Sequence, residues 1–139
     1  MANFTIAFNR TMKTEGGYAN DPDDRGGETY MGIARKFHPT CGIWKYVDAL
    51  TSKNKTTKQI NAELKKNTSV QNIVKIFYKQ NYWDVFKLDD VKRQCVANEL
   101  FDDAVNRGVG AATKLAKSIV GLRADSKITN EFLVKLQKL

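Results

Sequence analysis

One histidine, two cysteines and two prolines are all that this 139-residue chain holds of those types. His38 stands alone, which excludes a histidine-rich zinc site and disfavours a serine–histidine triad. Cys41 and Cys95 could pair, but they lie far apart and belong to no Cys-x-x-Cys motif. They read as two free, mostly buried thiols rather than a disulfide framework. No apolar run approaches the length of a membrane span. Met1 to Thr14 lacks both the apolar stretch and the basic start of a secretory signal. The protein is therefore expected to be made in the cytoplasm, and to reach any target in the periplasm or cell wall by another release route. Alternating apolar and polar residues of the kind that build sheets are also scarce, and there is no internal repeat.

Positive charge is abundant. The formal net charge is +8, from 23 Lys and Arg against 15 Asp and Glu. That imbalance favours an acidic partner, whether nucleic acid, anionic membrane or anionic cell-wall polymer, and says nothing about fold. The hydrophobic fraction of 42% is ordinary for a globular chain, and the length suits one domain with a real core.

Helical spacing dominates what remains. Phe4, Ile6, Ala7, Phe8 and Met12 form one apolar face, stopped by Gly16-Gly17. Residues 16–30 carry four glycines and a proline and read as a long structured loop with a short hairpin. Met31 to Phe37 looks like a short helix ending before Pro39, and Ile43 to Leu50 like another. Thr56-x-x-Gln59 resembles a capping box opening a helix to Lys66, whose lysines form a solvated face; Thr68-x-x-Gln71 repeats the signal. Val70, Ile73, Val74, Phe77 and Tyr78 continue that second helix toward Tyr82-Trp83. Asp89 or Asp90 can cap the next helix, with a stripe from Val91 to Val105 broken by Gly108 and Gly110. Ala111 to Val120 ends at Gly121, and Thr129 to Leu139 is a last amphipathic helix. The expected class is mainly α.

The stretch from Glu15 to Ile33 carries the chemistry. Glu15 closes an amphipathic segment, where a negative charge opposes the helix dipole. It is either a surface residue before a glycine cap or a carboxyl kept there for a purpose. Held partly out of water, such a carboxyl stays protonated and can act as a general acid. Asp24 follows nine residues later, and a hairpin of that length could bring it opposite Glu15. The alternative is a turn aspartate, since Asp21-Pro22-Asp23-Asp24 is turn-forming. A calcium loop is disfavoured by Pro22, by Arg25 at a ligand position and by Gly32 where a glutamate is needed. Thr29 could hold a water beside a sugar ring, or simply bond to nearby backbone. Gly16 and Gly17 leave room for a polymer close to the backbone. Tyr18, Tyr30 and Trp83 could pack on sugar faces or belong to core and rim, the latter favoured for Trp83. Asp102 and Asn106 lie four apart on one helix and can meet on one face. Asp102 is a reserve second carboxylate, although a network that fixes its helix is the favoured reading.

Glu15-Gly-Gly-Tyr, followed by Asp-Pro-x-Asp-x-Gly-Gly-x-Thr-x-x-Gly-Ile, resembles the N-terminal signature of glycoside hydrolase family 108, the N-acetylmuramidases of phages and bacteria. Tyr82-Trp83-Asp84 and Phe101-Asp102-x-Ala104-Val105-Asn106-x-Gly108 resemble the family as well. The resemblance implies a single-domain, lysozyme-like α fold over residues 1–120 that cleaves the bond between N-acetylmuramic acid and N-acetylglucosamine. It places Glu15 as the catalytic acid, with Asp24 and Thr29 completing the site as in phage-type lysozymes, although the threonine spacing differs by one residue. It implies no cofactor and no metal, peptidoglycan glycan strands as partner, anionic wall polymers as a secondary one, and a monomer. Residues 121–139 resemble only the start of the family's peptidoglycan-binding segment, so a short or truncated member is expected.

Three other readings stand beside it. A nucleic-acid binder is disfavoured because the acidic loop from Asp21 to Glu28 would repel phosphates. A non-catalytic wall-binding or secretion-accessory module could keep the fold without the chemistry. The same scaffold could also act on chitin or chitosan.

Overall fold

Helix propensity and apolar spacing build most of the elements. The computed structural model describes residues 1–13, 16–23, 25 and 27–139. Glu15 and Asp24 lie outside the described residues. In chain order the elements are α1 (Phe4–Met12), β1 (Ala19–Asn20), β2 (Glu28–Tyr30), β3 (Ile33–Ala34), α2 (Ile43–Thr51), α3 (Thr57–Lys66), α4 (Thr68–Tyr78), α5 (Gln94–Arg107), α6 (Val109–Ile119) and α7 (Asn130–Gln137). The fold is mainly helical, with one small antiparallel sheet in the order β1-β2-β3.

Contacts divide the chain into two units: Met1–Thr11 with Phe77–Leu139, and Met12–Ile76. In the second unit, Ile33, Ile43, Trp44, Val47, Ile60, Leu64, Val70 and Val74 are buried and supply the core behind the sheet. β1 and β2 pair as the expected short hairpin, and β3 extends it by a strand. Ala19 pairs with Thr29 and Asn20 with Glu28, and Thr29 and Tyr30 pair in turn with Ala34 and Ile33.

The expected helix over Met31–Phe37 is absent. Met31 and Gly32 instead link β2 to β3 with φ of 47° and 82°. Two successive positive φ values are the pattern of a type I′ hairpin turn, which suits the twist of the flanking strands. The stretch mimics a helix because Met31, Ile33, Ala34 and Phe37 are apolar at nearly helical spacing.

Helix α3 begins as expected. The Gln59 N–H donates to Thr56 Oγ1 at 3.2 Å, and the Thr56 N–H donates to Gln59 Oε1 at 2.9 Å. Thr56→Ala is expected to lower unfolding free energy by about 1 kcal/mol, read as a lower urea midpoint at constant m. The second capping box does not form. Asn67 caps α4 by accepting the Val70 N–H at 3.2 Å, while Gln71 turns inward to Tyr30 and Leu64. The difference is one of tight connection: Asn67 closes α3 and opens α4, leaving Thr68 already helical.

The first unit is built on aromatic residues. The Phe4, Trp83 and Phe101 rings meet edge to face, with centroids 5.5–5.9 Å apart. After α4 the chain makes a π-helical turn over Lys79–Trp83, in which the Asp84 N–H reaches back five residues to the Lys79 carbonyl. Two short 3₁₀ turns follow, Asp84–Phe86 and Leu88–Asp90. Asp89 and Asp90 therefore do not cap α5. Arg93 occupies that place without a side-chain cap, and Asp89 instead accepts the Trp83 indole N–H at 2.8 Å. Gly108, with φ of 93°, separates α5 from α6, whereas Gly110 lies inside α6. The chain between α6 and α7 is tied down by Lys117, only 4% exposed, which donates to Asp125 at 2.5 Å. Thr129 caps α7, and Phe132 is fully buried against Phe86.

Candidate active site

The segment that follows Glu15 is held closely. Gly16 is exposed with open space around it, so a side chain would fit there. Gly17 is different: an added Cβ would overlap the carboxamide of Asn61 on α3. The next residue uses that same group, since the Tyr18 N–H donates to Asn61 Oδ1 at 2.6 Å. Glycine is thus needed at position 17 for a close approach to Asn61.

The Tyr18 ring is buried, 7% exposed, and its hydroxyl donates to Glu28 Oε2 at 2.5 Å. Burial first, and the Glu28 carboxylate second, push its phenol up to about 12. The folded state therefore holds this proton when the unfolded chain has released it, so stability falls as pH rises from about 10 to 12. Ultraviolet titration should find tyrosines ionising late, and Tyr18→Phe should remove one of those late steps.

Glu28 is also the partner of Arg35. Arg35 Nη1 donates to Glu28 Oε1 at 2.9 Å, and its guanidinium grips Asp48 with two bonds of 2.6 and 2.8 Å. Those bonds, Asp48 before Glu28, raise the Arg35 pKa and lower that of Asp48. The guanidinium lies 5.4 Å from the Trp44 ring centroid. Thr29, in the middle of β2, is half-buried between Ala19 and Ala34. Tyr30 is 3% exposed and its oxygen accepts from Gln71 Nε2 at 3.0 Å; burial raises its pKa.

Among the expected sugar contacts, Tyr18, Tyr30 and Trp83 are all buried, Trp83 completely. Their rings pack in the cores, and this leaves them little face for a sugar. Asp102 and Asn106 do meet: Asn106 Nδ2 donates to the Asp102 carbonyl at 2.8 Å and to its Oδ2 at 3.2 Å. Asp102 Oδ1 accepts from Thr11 Oγ1 at 3.0 Å, which is the helix-fixing network. Both residues rim a groove of about 760 Å³ whose floor is apolar, formed by Leu100, Leu115, Ala116, Ile119 and Leu136. Asn61, Glu28, Arg35 and Asp48 carried no local sequence signal for this arrangement beyond the acidity of the Asp21–Glu28 loop.

Both cysteines are free thiols, Cys41 half-buried and Cys95 exposed. Among the described residues, no cluster of three His, Cys, Asp or Glu side chains is placed to hold a metal ion. Among the same residues, no helix is long and apolar enough to cross a membrane.

A family model described as Glycosyl hydrolase 108 matches residues 8–108, from α1 to the glycine after α5. The solved structure of SagA from Brucella abortus is similar at 25% identity with a TM-score of 0.60, covering 98% of this chain and 69% of its own. No curated protein gives a match.

Proposed function

The chain belongs to the glycosyl hydrolase 108 family, and from that premise we propose that it is an N-acetylmuramidase acting on peptidoglycan. The family match over residues 8–108 carries the reading, because it spans Glu15, Asp24 and Thr29 in one continuous segment.

In this reading Glu15 protonates the glycosidic oxygen as the bond breaks. Positive charge develops on the departing sugar, and Asp24 stabilises it or activates the attacking water. Thr29 helps place that water. Its position on β2 supports this role, since a short strand paired on both sides is a rigid mount. Gly16 and Gly17 keep the chain beside the acid slim. Asp102 and Asn106 stay outside the chemistry, as their polar groups already bond to one another and to Thr11.

The net charge of +8 would concentrate the enzyme on walls rich in carboxylates and anionic polymers, an effect that added salt weakens. The reading includes a monomer that works as a phage or bacterial endolysin on the cell wall. Residues 1–120 would form its catalytic part and 121–139 the approach to a wall-binding segment, with α7 packed through Phe132 and Leu136.

The test is digestion of purified peptidoglycan with new reducing ends and new free amines followed separately. Reducing ends without amines, and fragments ending in muramic acid by mass, are expected. Wall binding with neither product would move the assignment to a non-catalytic accessory module.

A further inference from the structure

We infer that Asn61 and Glu28 are positioning residues of this site, acting through Gly17 and Tyr18. The inference rests on the reading of Glu15 as the acid. Two glycines follow Glu15, and glycine has the greatest backbone freedom of any residue. A general acid must be held within a fraction of an ångström of its working place, so that freedom has to be removed close by. Tyr18 is where the chain removes it.

Four observations meet there. The Tyr18 N–H is bonded to Asn61 Oδ1 at 2.6 Å. Gly17 lies so near the Asn61 carboxamide that an added Cβ would push that carboxamide out of its place. The Tyr18 ring is buried, and its hydroxyl is bonded to Glu28 at 2.5 Å. Glu28 is itself held by Arg35, which is fastened to Asp48 on α2.

The backbone next to the acid is thus clamped to α3 on one side and to the strand carrying Thr29 on the other. Asn61 is suited to this because its carboxamide oxygen accepts a backbone N–H without adding charge. Glu28 is suited because its other oxygen is held by Arg35, so the carboxylate that orients the phenol is itself fixed in place.

The experiment compares kcat and KM on peptidoglycan for wild type, Glu15→Gln, Asn61→Ala, Asn61→Asp and Tyr18→Phe, with folding checked by circular dichroism. Asn61→Ala is expected to lower kcat about ten- to a hundredfold at unchanged KM, as a displaced catalytic group would. Asn61→Asp keeps an acceptor in place but adds a charge, so it should recover part of that loss. Tyr18→Phe keeps the ring and removes the hydroxyl with its bond to Glu28, so it stays informative even if Asn61→Ala does not fold; a lower kcat at constant KM is expected. Folded Asn61→Ala and Tyr18→Phe with wild-type kcat, beside an inactive Glu15→Gln, would overturn the clamp and leave the muramidase reading standing. An inactive wild type, or an active Glu15→Gln, would overturn both.

Discussion

Glu15→Gln is expected to reduce turnover of peptidoglycan by about a thousandfold, the scale on which a positioned general acid acts, with KM and fold unchanged. The amide copies the carboxyl in shape and can still accept hydrogen bonds, but it has no proton to give. The leaving sugar oxygen must then depart as an alkoxide or take its proton from water. The substitution keeps the size of the side chain, so the fold should be retained. The comparison is steady-state release of reducing ends, with a urea titration run on the same samples. A folded variant turning over within tenfold of wild type would remove Glu15 from the chemistry.

Trp83→Ala is expected to show the largest loss of stability, about 3–5 kcal/mol, as for other buried aromatic truncations. The indole is fully buried and meets Phe4 and Phe101 edge to face, so its removal leaves a cavity among rigid rings. That is a large part of a typical domain stability of about 5–15 kcal/mol. Asp89, with its side chain 64% exposed, returns to water without penalty when the indole N–H is gone. The loss should therefore come from packing, and Trp83→Phe should recover much of it. Chemical denaturation reads the difference as a fall in midpoint at constant m. A loss under about 1 kcal/mol, joined to a raised KM, would instead assign Trp83 to the substrate.

Most helices were legible because their causes are local. Apolar spacing marked α1, α4, α5 and α7, the Thr56 and Gln59 pair marked the start of α3, and Gly108 and Gly121 marked ends. Misreadings arose where one pattern serves two structures. Met31-Gly32 is a hairpin turn without the usual Asn-Gly signature, and the apolar residues around it fall at nearly helical spacing. Asp89 and Asp90 look like caps until the chain is seen to make a 3₁₀ turn and hand Asp89 to an indole.

The Asp102 and Asn106 pair could be foreseen, as residues four apart on a helix must meet. The clamp on Tyr18 could not. Asn61 stands 43 residues away, and only the fold that brings Tyr18 to α3 gives its carboxamide a purpose. The three buried aromatics illustrate a related ambiguity, since a ring that stacks on a sugar and a ring that fills a core have the same letter.

The π-helical turn at Lys79–Trp83 sets the rotational phase of everything after it. Tyr78 and Trp83 are five apart and both buried. In a regular α-helix, with 3.6 residues per turn, they would point about 140° away from each other. The wider turn closes that angle, so one ring meets Phe8 while the other meets Phe4 and Phe101. The extra residue behaves as a gear tooth. Wound as a regular α-helix at the same length, this turn would swing Trp83 away from Phe4 and Phe101, although every residue kept its chemistry. The winding at this point of the chain is as much a part of the specification as side-chain identity.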